Sequence, residues 1–256
     1  MMSLFWHTCG AGERDLVLLH GWGLNAEVWN CVTARLSPHF RLHLVDLPGY
    51  GRSQGVTALT LDHMVTLLEP RLPENAIIVG WSLGGLVATR LARSASVTVR
   101  GLITVASSPC FSAQQGWPGI KPSVLQGFQQ QLSSHFEKTI DRFMALQTLG
   151  TDTARHDARL LRQAVLSQPL PEVTVLNAGL GILQSADLRR ELSSVNLPFL
   201  RIYGALDGLV PRDIAGQVDT LAGGGLSVVM PKAGHAPFIS HPAEFCEQVL
   251  AFSSDL

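Results

Sequence analysis

Residues 77–87, Ile77-Ile78-Val79-Gly80-Trp81-Ser82-Leu83-Gly84-Gly85-Leu86-Val87, run apolar, break at a serine between glycines, and turn apolar again. The pattern G-x-S-x-G fits a nucleophile held on a sharp strand-to-helix turn. It also fits an ordinary connection, since glycine is common enough for the pattern to arise by chance in about one chain of this length in ten. The rest of the chain decides between the two.

Outward from this stretch, short runs rich in Val, Ile and Leu recur at 16–19, 42–45, 76–79, 101–105, 199–203 and 227–230. Their near-continuous apolarity, without alternation, predicts strands buried on both faces of a largely parallel sheet. Helical patterns at 61–70, 84–94, 212–222 and 242–253 lie between them. Alternating strands and helices predict an α/β fold with a mostly parallel central sheet flanked by helices. From Phe111 to Ser185 only helical periodicity appears, punctuated by Pro118, Pro122, Pro169 and Pro171. The expected organisation is therefore a core formed by residues 1–110 and 186–256, with residues 111–185 inserted as a helical lid.

In open α/β sheets, ligands bind beyond the carboxyl ends of the strands. Following the strands in order are His20-Gly21-Trp22-Gly23, Asp46-Leu47-Pro48-Gly49, Ser82, Asp207 and His235. A serine, an aspartate and a histidine thus occupy equivalent strand-end positions. A serine hydroxyl needs a neighbouring base to take its proton, which suits His235. Imidazole accepts and returns a proton near neutrality, and Asp207 would fix its tautomer and stabilise the transient imidazolium. Asp46 is the competing acid, but it precedes the serine. His20 reads as shaping its loop, His241 as a cap or packing residue, and His43 and His63 as packing or surface residues. Trp81 reads equally as a pocket wall or as core.

Composition excludes other classes. The chain has 256 residues, 46% hydrophobic and 15% charged, with a net charge of −1. This describes a globular protein with no electrostatic case for nucleic-acid binding. No apolar run reaches membrane-span length and no secretory signal is read at the N-terminus, so a cytoplasmic protein without a membrane association is expected. Cys9, Cys31, Cys110 and Cys246 are widely spaced and read as unpaired thiols. The histidines lack H-x-x-x-H or H-E-x-x-H spacing, so neither a metal nor another cofactor is expected. A monomer is expected.

The order Ser82, Asp207, His235 resembles that of the α/β-hydrolases, with Gly80-Trp81-Ser82-Leu83-Gly84 as the nucleophile elbow and His20-Gly21-Trp22 as the oxyanion loop. The backbone N–H groups of Leu83 and Trp22 are then the expected oxyanion donors. Haloalkane dehalogenases and epoxide hydrolases carry aspartate at the elbow, so Ser82 argues against both. Ester hydrolysis, carbon–carbon bond hydrolysis, peptide cleavage and hydroxynitrile elimination stay open, as does a ligand-binding homologue without turnover.

Longer stretches resemble one family more closely: residues 20–29, 80–88, 107–113, 117–122 and 236–246 are similar to the pimeloyl-[acyl-carrier protein] methyl ester esterases of biotin synthesis. That resemblance implies removal of the methyl group masking the ω-carboxyl of a pimeloyl chain carried on an acyl carrier protein. It implies substrate contacts at Phe143, Met144, Ala145, Leu146 and Gln147. The pairs Lys138/Arg142 and Arg155/Arg159, with Arg162 a turn further, form basic stripes on the lid that suit an acidic carrier protein. The competing reading is an ordinary solvated surface partly neutralised by Glu137, Asp141, Asp152 and Asp157, although adjacent positions rotate 137 and 141 away from 138 and 142. Phe111, Trp117, Phe128 and Phe143 are expected to line an acyl channel, with core packing the competing reading for each one taken singly.

Overall fold

A computed structural model describes residues 3–93, 96, 98–132, 134 and 136–256, the side chains of Phe136 and Glu137 excepted. Seven strands form one sheet in the order β1-β3-β2-β4-β5-β6-β7. They are β1 (Trp6–Cys9), β2 (Arg14–Leu19), β3 (Phe40–Val45), β4 (Ala76–Trp81), β5 (Val99–Val105), β6 (Phe199–Gly204) and β7 (Leu226–Met230). All neighbours are parallel except β1, which runs antiparallel to β3 with Trp6 opposite Val45. The six predicted strands are present. β1 was not predicted, because none of its four residues is fully buried and they carry no apolar run.

The helices are α1 (Asn30–Leu36), α2 (Leu61–Leu68), α3 (Leu83–Leu91), α4 (Pro122–Leu132), α5 (Phe136–Thr148), α6 (Ala154–Leu166), α7 (Val173–Ser185), α8 (Arg189–Leu192), α9 (Ile214–Leu221), α10 (Pro237–Ser240) and α11 (Pro242–Ser254). β4 is buried along its whole length, as expected of a central strand covered on both faces. Helices α4–α8 separate β5 from β6, and α4–α7 form the helical insertion within residues 111–185.

The sheet order reverses between β2 and β4, since the chain passes from β2 outward to β3 and then returns to β4 on the other side. That reversal leaves a crevice at the carboxyl ends of two adjacent strands. The loop after β2 and the turn after β4 meet there. A Cβ built on Gly21 would stand 3.3 Å from Ser82 Cβ.

Candidate active site

Ser82 sits between β4 and α3 at φ 54°, ψ −117°, a backbone conformation costing about 1–3 kcal/mol that surrounding contacts must hold. Three hydrogen bonds do so. The Ser82 N–H donates to the Val105 carbonyl (2.9 Å), and its own carbonyl accepts from Gly85 N–H (2.9 Å) and the Ser107 hydroxyl (2.9 Å). Close packing completes the turn. A Cβ on Gly80 would lie 2.2 Å from the Gly84 carbonyl oxygen, and one on Gly84 2.5 Å from the carbonyl oxygens of Leu19 and His20. The glycines therefore let α3 rest directly on the strand ends.

Three side chains from three loops converge on this turn. The Ser82 hydroxyl lies 3.0 Å from His235 Nε2, and His235 Nδ1 lies 2.8 Å from Asp207 Oδ2. The other Asp207 oxygen accepts from the N–H groups of Leu209 (2.8 Å) and Val210 (3.0 Å). These bonds fix the carboxylate and keep it an acceptor toward the imidazole. The group is enclosed: Ser82 is 4% exposed, Asp207 8% and His235 1%. The backbone N–H groups of Leu83 and Trp22 have no hydrogen-bond partner among the described residues. Leu83 opens α3, where first-turn N–H groups point outward and attract negative charge.

Asp46 is engaged elsewhere. Its carboxylate accepts from Ala26 N–H (2.7 Å) and from the Arg52 backbone and guanidinium. His20 is equally committed, accepting Leu47 N–H at Nε2 (2.9 Å) and bonding the Gly21 carbonyl through Nδ1 (2.8 Å). Burial holds its imidazole below the usual value, so a neutral ring clasps the loops after β2 and β3. His43 bonds the Trp6 indole and Asp15 at the sheet edge.

The insertion closes over this centre, and three of its helices each bond a core loop through a backbone carbonyl. In α5, the Gln147 carbonyl accepts from His235 N–H (3.1 Å). In α6, the Ala164 carbonyl accepts from the Asn25 amide (2.7 Å). In α7, the Leu176 carbonyl accepts from the Trp22 indole (2.8 Å). Gln147 and Ala164 lie in the last turns of their helices, where carbonyls lack intrahelical partners.

Among the expected substrate contacts, Phe143, Met144 and Gln147 are buried and Leu146 is half-buried. Phe143 packs edge-on against Trp22 with ring centroids 4.5 Å apart, and Phe128 packs on Phe143 at 5.7 Å. Ala145 departs from expectation. It is exposed on the outer face of α5, because one residue along a helix turns the side chain by about 100° from its buried neighbours. Ile140 and Leu176, not singled out in the sequence, approach Gly23 together with Met144, all within 4.0 Å of a Cβ built there. Phe111 and Trp117 belong to the segment between β5 and α4. The Trp117 indole donates to the Cys110 carbonyl (2.8 Å), and Arg189 covers its face. Of the four aromatics, Phe143 alone reaches Trp22 by ring contact among the described residues, and Phe128 joins it through Phe143.

Lys138, Arg142, Arg155 and Arg159 are all exposed on α5 and α6. Arg142 lies over Phe128 (5.6 Å), and Arg159 contacts His156 (3.2 Å). Two expectations need correction. Arg162 is paired with Asp141 across the helices (3.0 Å), which removes it from the free basic stripe. Asp157 is buried and takes hydrogen bonds from Thr153 (2.6 Å) and Thr151 (3.4 Å), so it holds the start of α6 and neutralises no surface charge. The Glu137 side chain lies outside the described residues. The cysteines are unpaired, and burial pushes the Cys31 thiol up to about 12.

The chain is 65% identical over 253 residues to the pimeloyl-[acyl-carrier protein] methyl ester esterase of Pectobacterium carotovorum, covering 99% of each protein. It is 59% identical over 256 residues to the protein of that name from Salmonella enteritidis, covering 100% of each. In fold it is similar to a bromoperoxidase from Bacillus anthracis (TM-score 0.88, 20% identity, covering 98% of this chain and 95% of that one). It is likewise similar to an esterase from Exiguobacterium antarcticum (TM-score 0.84, 20% identity, covering 97% and 94%). A family model described as the alpha/beta hydrolase family matches residues 16–248, and with the strand order, the turn at Ser82 and these relatives it establishes that the chain belongs to that family.

Proposed function

We propose that the protein is a serine carboxylesterase that hydrolyses the methyl ester of pimeloyl-[acyl-carrier protein], giving the free ω-carboxylate and methanol, in biotin synthesis. The observation that carries the chemistry is the hydrogen-bonded chain from Ser82 through His235 to Asp207. The relatives' shared name supports the substrate.

In the first step, Ser82 Oγ attacks the ester carbonyl carbon while His235 Nε2 takes the hydroxyl proton. The carbonyl oxygen becomes an oxyanion facing the N–H groups of Leu83 and Trp22, and losing one such donor typically costs about 3 kcal/mol of transition-state stabilisation. The tetrahedral intermediate collapses with breakage of the C–OCH3 bond, and His235 returns the proton to the leaving methoxide. Water then attacks the acyl-enzyme with His235 again as base, releasing the carboxylate and restoring Ser82. Asp207 stays ionised throughout and steadies the imidazolium.

The insertion acts as a lid in this reading, because the enclosed serine requires it to move for a carrier-borne chain to enter. Phe143, Met144, Leu146 and Gln147 form its inner surface toward the acyl chain. Lys138, Arg142, Arg155 and Arg159 form the outer surface that docks the acidic carrier protein. Mass spectrometry of a carrier-linked pimeloyl methyl ester before and after addition of enzyme tests the function. Loss of one methyl group with the chain still on its carrier is expected with wild type and absent with Ser82→Ala. Release of the chain from the carrier would instead mark thioester cleavage and overturn the assignment.

A further inference from the structure

Trp81 precedes the nucleophile and is fully buried, so it does not line an open pocket. Its indole N–H donates to the main-chain carbonyl of His235 at 2.7 Å. The indole ring also lies 5.8 Å from the His235 imidazole and 4.9 Å from Phe238, centroid to centroid. A Cβ on Gly21, in the oxyanion loop, would stand 3.2 Å from its ring. One side chain therefore touches the loops bearing the base and the proposed oxyanion donor, while its own backbone leads into Ser82.

The other side of the histidine is held from the insertion, through the bond from His235 N–H to the Gln147 carbonyl. The peptide groups on both sides of His235 are thus fixed, one by the core and one by the insertion. The imidazole has to present Nδ1 to Asp207 and Nε2 to Ser82 at once. Its direction follows from the backbone that carries it, and a displacement of about 1 Å can cost about 10²-fold in rate.

We infer that Trp81 is a positioning residue for the catalytic base, its indole N–H holding the His235 carbonyl so that the imidazole bridges Asp207 and Ser82. This rests on the reading of Ser82, His235 and Asp207 as the hydrolytic triad. The structure supplies a matched control. Trp29 is also fully buried and packs on the same Phe238 at 4.3 Å, but its indole nitrogen has no hydrogen-bond partner among the described residues. Trp29→Phe removes an indole N–H from the same aromatic cluster without touching the histidine.

The experiment compares wild type, Trp81→Phe and Trp29→Phe on a small p-nitrophenyl ester, with intact active sites counted by a fluorophosphonate that labels Ser82. Trp81→Phe is expected to lower kcat per labelled site about tenfold with KM unchanged, because geometry and not ester binding is lost. Trp29→Phe is expected to keep kcat per labelled site within twofold, whatever either variant does to Tm. Equal losses in both variants, or a kcat per site for Trp81→Phe within twofold of wild type, would overturn the inference. Should Trp81→Phe not fold, replacing Trp81 with benzothienylalanine makes the same deletion at constant shape and is expected to give the same fall. Equal hydrolysis by wild type and Ser82→Ala would instead sink the triad reading itself, which separates the two failures.

Discussion

Helices α3 and α6 both contact the loop region that follows β2 and are built on different principles. Every residue of α3 except Arg90 is buried, and its first turn is pressed so closely on β2 and β4 that glycine alone fits at 84. Helix α6 buries only Asp157, Leu161 and Val165, and its Ala164 carbonyl accepts the side-chain amide of Asn25, three residues beyond Trp22. The first is a rigid seat for a strained serine. The second is an amphipathic surface helix held along one narrow stripe, and elements with less buried surface open at lower free-energy cost. In the proposed function, chemistry falls on the close-packed part, and access and recognition on the looser one.

The sharpest way to break this division is at the seat itself. Ser82→Ala is expected to lower kcat on any ester by at least about 10⁴-fold, with Tm retained, because the position is small and already well enclosed. A mutant keeping a tenth of wild-type turnover would move the chemistry away from Ser82.

Next in size is packing beneath the serine. Gly84→Ala places a methyl group against two backbone oxygens that cannot step aside, so unfolding in urea should show a loss of about 3 kcal/mol. A loss below about 1 kcal/mol would mean that α3 is less firmly seated than its contacts imply.

The insertion should respond selectively. Reversing Arg142 and Arg159 to glutamate is expected to reduce kcat/KM for the carrier-linked ester about 10- to 100-fold, leaving a small free ester unaffected. Added salt should likewise slow wild type on the carrier substrate alone. Equal loss on both substrates would remove the docking surface from these helices.

The smallest effect has the opposite sign. Gly127, inside α4, has open space where its Cβ would stand, so Gly127→Ala should stabilise the protein by about 0.5–1 kcal/mol in the same urea assay. The contrast between two glycine-to-alanine changes, one in the core and one in the insertion, measures the packing difference directly.

Much of the core was legible in the sequence, because buried parallel strands leave continuous Val, Ile and Leu runs and their ends fall where chemistry-bearing residues stand. β1 escaped, being short, half-exposed and held through its backbone pairing with β3. The insertion was legible as helical but not in its facing. Ala145 falls on the outer face of α5 between inward residues. Asp157 turns inward to two threonines. Arg162 finds Asp141, 21 residues away. The facing of Ala145 and the pairing of Arg162 depend on how helices rotate against one another, and that of Asp157 on the threonines before α6; hydrophobic periodicity constrains all three only loosely.

The sequence by itself determined the alternation of strands and helices, the ordered appearance of Ser82, Asp207 and His235, and the interruption by a helical segment. These are local properties, written in hydrophobic period and turn chemistry. Only the tertiary structure decided that Asp46 belongs to Arg52 and Asp207 to His235, that the Trp81 indole is buried and bonded to the His235 carbonyl, and that three insertion carbonyls bond the loops carrying His235, Trp22 and Asn25. Hydrogen bonds between residues as far apart as Trp81 and His235 carry no signature in local periodicity, since each partner satisfies it equally well alone; they exist because the sheet brings its strand ends to one edge.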